Sequence, residues 1–252
     1  MSAFIVSDYS DRIHMLTDAA QYDQHGVLTG VVSKVWKSER VPVAITGRGY
    51  RQLVEGYAQL LTGIADDAGS VDRALPHWKE QLAFMRDQHR EGSFSLMIAA
   101  WSETAGPRVY SCTSDLRGSL DSQVFELTER RSGAFHMSGD VDWDRVYDTS
   151  KVRIDSPDFL VRHGVDLMEM MRRQPATLAI EHPDQKTGRY SVGGRCDLTT
   201  VTAKGVATRT LHIWPDRIGE PINPFSQEKN IVPLLNRKQR RAAAHAHRSR
   251  VA

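Results

Sequence analysis

The order in which hydrophobic periodicities follow one another constrains this chain more than any single motif. Residues 2–7 (SAFIVS) are a short apolar run with β-branched members, suited to a buried strand. Residues 12–20 (RIHMLTDAA) set Ile13 and Met15 against Arg12, His14 and Leu16, a second strand after the polar turn DYSD. After DQHG, VLTGVVSKVWKS continues in β style to Ser38, and VPVAITGRG (41–49) is an apolar strand closed by two glycines. At Tyr50 the period changes. Leu53, Val54, Tyr57, Leu60, Leu61 and Ile64 recur at helical spacing, and DDAGS breaks the pattern. Residues 70–91 predict a second helix, with Ser70 as cap and Pro76 limiting its first part. FSLMIAAWS (94–102) and PRVYSCTS (107–114) form a hairpin in outline, and 132–142 a short strand ending at Gly139. Residues 156–174 read as a helix with Ser156 as N-cap and Pro157 in first position. Residues 190–216 read as strand, turn at AKG, strand.

Strands, two helices, strands, one helix, strands is not the βαβα alternation of a doubly wound parallel sheet. The expected class is α+β, with sheets inside and helices segregated to outer layers. A chain of 252 residues is long enough to bury a sizeable core. No apolar run approaches the roughly 18 residues of a membrane helix. The start has neither a basic leader nor a long apolar stretch, so a cytoplasmic protein without a signal peptide or membrane anchor is expected. Cys112 and Cys196 could pair in principle, but in an intracellular chain of this size they fit small buried hydrophobes better.

Ser2, Asp18 and Lys34 fall sixteen residues apart, each in or beside a predicted strand, and AITGRG then offers backbone amides at a glycine turn. A serine hydroxyl is a poor nucleophile and needs a base. With Met1 removed, the α-amine of Ser2 lies on the same residue as the hydroxyl, and its ordinary pKa of about 7.7–8.0 suits a base at neutral pH. A neighbouring ammonium such as Lys34 would depress it further. Asp18 would orient Lys34, and the Gly47 N–H would receive the oxyanion.

SAFIV, HMLTDAAQYD, SKVWKS and VAITGRG resemble the corresponding strands of the proteasome β-subunit and HslV peptidases, an N-terminal-nucleophile hydrolase family. The resemblance covers roughly residues 2–215. It implies a four-layer αββα sandwich over 1–216, with Ser2 in place of the usual threonine, Asp18 and Lys34 in register and Gly47 at the oxyanion. It also implies Ser138, in HMSGD, as support for the catalytic amine, with peptide or amide substrates and a homo-oligomeric ring. No cofactor and no metal are expected. Where the family has D-x-x-S-G, this chain has RYSVGGRCD, whose Ser191 and Asp197 are the nearest stand-ins.

Other motifs carry less. His163 with Asp166 or Glu169 has helical spacing but no second ligand cluster. VGGRCDLTT lacks the lysine and helix of a phosphate loop. After Glu228 there are seven cations and no acid, which leaves the first 228 residues at −5 out of a total of +2. Residues 217–252 therefore read as a proline-containing arm and a flexible basic tail, able to contact nucleic acid or an acidic partner. The alternative to a hydrolase is a catalytically silent relative that keeps the fold for assembly or binding.

Overall fold

The structure, a computed structural model, describes residues 3–89, 92–114, 124–133, 135–137, 153, 155–176 and 188–226. The chain divides into two units, Met1–Ile222 and Asn223–Ala252. The first unit is α+β, with antiparallel strand pairing throughout its sheets.

One five-stranded sheet holds β1 (Phe4–Tyr9), β2 (Arg12–Asp18), β10 (Phe135–Met137), β11 (Arg195–Thr202) and β12 (Gly205–Ile213), in the order β10-β1-β2-β11-β12. A second holds β5 (Trp36–Lys37), β6 (Val43–Gly49), β7 (Phe94–Ser102), β8 (Gly106–Thr113) and β9 (Thr128–Glu129), in chain order. The hairpin of β3 (Ala20–Tyr22) and β4 (Leu28–Val31) stands apart from both.

Strand β1 is buried along its whole length because both faces are covered. Ile5 packs with Leu16, Leu198 and the residues of α3 (Phe159–Arg172). Phe4 and Val6 point the other way, among Met15, Ala44, Met97, Ala99 and Val109 of both sheets. This two-sided burial is why the first strand reads as a continuous apolar run rather than an alternation. On the far face of the second sheet, Val43, Ile45, Leu96 and Ile98 meet Val54, Tyr57 and Leu61 of α1 (Arg51–Ala68) and Trp78 and Leu82 of α2 (Val71–Gln88). The Trp78 indole N–H donates to the Leu61 carbonyl at 2.8 Å, fixing the two helices at a fully buried point.

The second helix runs through Pro76 and stops at Gln88 rather than Glu91, and the third stops at Arg172 rather than Gln174. Two further helix ends differ from the sequence reading. Helix α1 runs four residues beyond Ile64, through the aspartate pair, to Gly69 in the left-handed conformation (φ 62°). Asp66 is not a breaker there: its carboxylate accepts the amides of Glu39 (3.2 Å) and Arg40 (2.8 Å). Helix α3 begins at Phe159 with Asp158 at the cap, not at Ser156. Ser156 belongs to the turn before it, where its carbonyl accepts the Phe159 amide at 2.9 Å. The segment read as an arm starts on the body: Leu28 N–H donates to the Glu220 carbonyl at 2.9 Å, and Ile222 is buried with Ala20 and Leu28. Among the described residues, no helix is long and apolar enough to cross a membrane.

Candidate functional site

Strand β2 ends at Asp18, and the chain turns at once into β3. The Asp18 side chain is wholly buried, so its charge must be met locally. Four donors meet it. Lys34 Nζ lies 2.8 Å from each carboxylate oxygen. The Ala3 amide donates to Oδ1 at 3.0 Å, and the amides of Ala20 (3.1 Å) and Gly193 (3.2 Å) donate to Oδ2. The Ala3 carbonyl accepts the Asp18 amide at 3.2 Å in return. Ala3 is thus tied to Asp18 twice, its amide to the carboxylate and its carbonyl to the Asp18 backbone amide.

Lys34 sits in the unpaired stretch between β4 and β5. Its carbonyl accepts the Thr46 hydroxyl at 2.8 Å, which joins the lysine backbone to β6 beside Gly47. Ser2 and Ser138 lie outside the described residues. Ser2 is linked by one peptide bond to Ala3, and Ser138 follows Met137, whose strand partner is Ile5.

Position 47 has no room for a side chain, and its backbone amide has a fixed direction. A Cβ there would lie 2.6 Å from the Ser95 carbonyl oxygen and 2.9 Å from Leu96 Cδ2, closer than packed atoms approach. The backbone direction follows from alternation along β6. Pro42 accepts from Trp101 and Tyr50 donates to Ser93, so even-numbered groups face β7, while Val43 accepts from Ser38 on the β5 side. Gly47 therefore faces the β5 side, and pairing with β5 ends at Ile45 and Trp36. Its amide points past the end of that strand toward the Lys34 stretch. Gly47→Ala is expected to cost about 1–3 kcal/mol from overpacking against a backbone atom, measured by urea unfolding. A variant as stable as the parent would show that β7 gives way.

Lys34, Gly47, Ser33, Trp36, Gln21 and Arg48 are among the residues that line an open cleft of about 420 Å³. The Arg51–Glu55 ion pair, 3.6 Å apart, stands at the same cleft. The cleft thus joins an ammonium held by a buried carboxylate, a strand-end amide and room for a side chain.

Gly193 is the participant that sequence reasoning missed. The RYSVGG stretch reads as the start of a strand, yet β11 begins only at Arg195 and the two glycines form the loop that reaches Asp18. The two stand-ins of that stretch do not add to the pair. Asp197 accepts Arg195 Nε and the Thr210 hydroxyl, each at 2.7 Å, and Ser191 is buried. Cys112 and Cys196 are free and buried, and burial pushes the Cys112 thiol up to about 12 and raises the Cys196 thiol as well. Neither is a thiolate nucleophile at neutral pH. Among the described residues, no three His, Cys, Asp or Glu side chains converge as metal ligands. Neither the protein-family models nor the curated proteins give a match to this chain.

Proposed function

We propose that this chain is an N-terminal-nucleophile amide hydrolase of the proteasome-like kind, with Ser2 as nucleophile once Met1 is removed. The observation that carries the reading is the Asp18 carboxylate, which binds Lys34 Nζ and the Ala3 amide at once, one peptide bond from Ser2. The two-sheet core with helices on its outer faces supports the four-layer αββα arrangement that such enzymes use.

In the proposed reaction the neutral α-amine of Ser2 takes the hydroxyl proton as Oγ attacks the amide carbonyl of a peptide or small amide. Negative charge on the carbonyl oxygen is received by the Gly47 N–H, a donor of a type worth about 3–4 kcal/mol to the transition state. The α-ammonium then returns its proton to the leaving amine, giving an ester on Ser2, which water cleaves by the same proton path in reverse. Lys34 disfavours protonation of the neighbouring amine through like charge, and Asp18 keeps Lys34 in place without itself exchanging a proton. A cytoplasmic homo-oligomeric ring is the assembly this reading implies.

The test is the mass of the purified protein and of its N-terminal peptide, before and after an epoxyketone or β-lactone probe. Loss of Met1 with an adduct on Ser2, absent in Ser2→Ala, is the expected outcome. Met1 retained, with no adduct, removes the base and leaves a silent assembly or binding protein as the function of the fold.

A further inference from the structure

A second buried ion pair lies behind the first. Arg172, the last residue of α3, and Asp216, after β12, are 2 % and 4 % exposed in their side chains. Arg172 Nη2 meets Asp216 Oδ1 at 2.5 Å and Nη1 meets Oδ2 at 2.8 Å, a bidentate contact. The same Nη1 donates to the Val192 carbonyl at 2.7 Å, and Asp216 Oδ2 accepts the Gly194 amide at 2.8 Å. Trp214, whose ring lies 5.2 Å from the guanidinium carbon, donates its backbone amide to the Gly194 carbonyl at 2.9 Å.

Both partners thus grip the loop on either side of Gly193. That residue donates its amide to Asp18 and accepts the Ala19 amide at 3.2 Å. The fit is close: a Cβ on Gly193 would lie 2.5 Å from Asp216 Oδ2 and 2.6 Å from Arg172 Nη1. Two charges this deeply buried are costly to desolvate, and a hydrophobic pair would fill the space as well. Their hydrogen bonds to the backbone end on the loop whose Gly193 amide donates to Asp18.

We propose that Arg172 and Asp216 are positioning residues of the site: their ion pair sets the Val192–Gly194 loop so that the Gly193 amide holds the Asp18 carboxylate against Lys34. The proposal rests on Asp18 and Lys34 being the working pair, yet its test needs no turnover. Lys34 is shielded because its ammonium is turned onto Asp18, with 10 % of its side chain exposed. Without the clamp, Asp18 loses one of its donors and Lys34 is released toward the cleft.

The experiment is acetylation of the folded protein with limiting reagent, Lys34 and exposed Lys79 being followed by peptide mass, together with amide exchange at Ala20 and Gly193. In Asp216→Asn, labelling of Lys34 relative to Lys79 is expected to rise about tenfold, with faster exchange at Ala20 and Gly193 but not in the Ile45–Leu96 core, the mark of local rather than global opening. Should Asp216→Asn fail to fold, Gly193→Ala keeps both charges while displacing the loop, and the same pattern is expected. Unchanged Lys34 labelling in a folded variant, or a uniform rise at all amides, overturns the proposal. A Ser2 adduct in the parent beside unchanged Lys34 labelling in the variant would leave the hydrolase and remove the clamp. The reverse pair of results would keep the clamp and remove the hydrolase.

Discussion

Asp18→Ala should be the most damaging single change near the proposed site, costing about 3–5 kcal/mol of stability, because it leaves a buried charge uncompensated. The deletion strands the Lys34 ammonium and leaves the amides of Ala3, Ala20 and Gly193 without the acceptor they share. Lys34→Met should cost less. It leaves a buried carboxylate, but that carboxylate keeps three backbone donors, which together offset much of the loss. The double variant Asp18→Ala/Lys34→Met should then be more stable than Asp18→Ala alone, since it removes the stranded cation. Urea unfolding of the four proteins closes a double-mutant cycle. Equal costs for the two single variants would mean that the amides add little and that the pair alone holds the carboxylate. Both single variants should also lose any Ser2 labelling, whatever their stability.

How far the sequence leads depends on the range of the contact. The sixteen-residue steps from Ser2 to Asp18 to Lys34 place the last two in one site, where they meet at 2.8 Å. This is legible because successive strands near one sheet end bring such residues back to the same level. Strand and helix types along the first hundred residues are legible for a similar reason, since Val43 and Ile45 or Tyr57 and Leu61 each repeat at the period of their element. Gly193 is not legible. Its bond to Asp18 spans 175 residues, and a glycine supplies no side chain whose chemistry could announce an amide donor. Arg172 and Asp216 are hidden in another way, as a basic residue at a helix end and an acid beside a proline are ordinary surface signals. The end of α1 misleads because two aspartates look like a break, whereas Asp66 turns inward to the Glu39 and Arg40 amides.

Stability should fall as pH drops from about 6.5 to about 4, and His14 is the group expected to lead that fall. Its ring is buried on β2, opposite Ser7 of β1 and Thr200 of β11 and edge-on to Tyr9, and its Nδ1 has no hydrogen-bond partner among the described residues. Burial lowers its pKa to about 4, with the cations Arg12 and Arg209 acting in the same direction and Asp11 and Asp158 opposing them. The imidazole is therefore neutral in the folded protein and takes up a proton more readily when unfolded. Its contribution is fully present above pH 6.5 and is lost as pH falls through 4, a difference of about 3 kcal/mol at one and a third kcal/mol per pH unit. His136 on β10, also lowered by burial, acts with the same sign. In His14→Phe the slope between pH 6.5 and pH 4 should flatten, measured by urea unfolding at half-unit steps. If parent and variant lose stability in parallel, protonation of buried carboxylates is the cause instead. The location gives the effect a functional side. His14 and Asp18 lie on the same strand with an even spacing, so the strand destabilised by a proton on His14 is the one that presents the carboxylate to Lys34. Acid should thus loosen the Asp18–Lys34 pair before the α1–α2 half of the core, and labelling of Lys34 relative to exposed Lys79 should rise at a higher pH than exchange at Ile45 relative to its intrinsic rate.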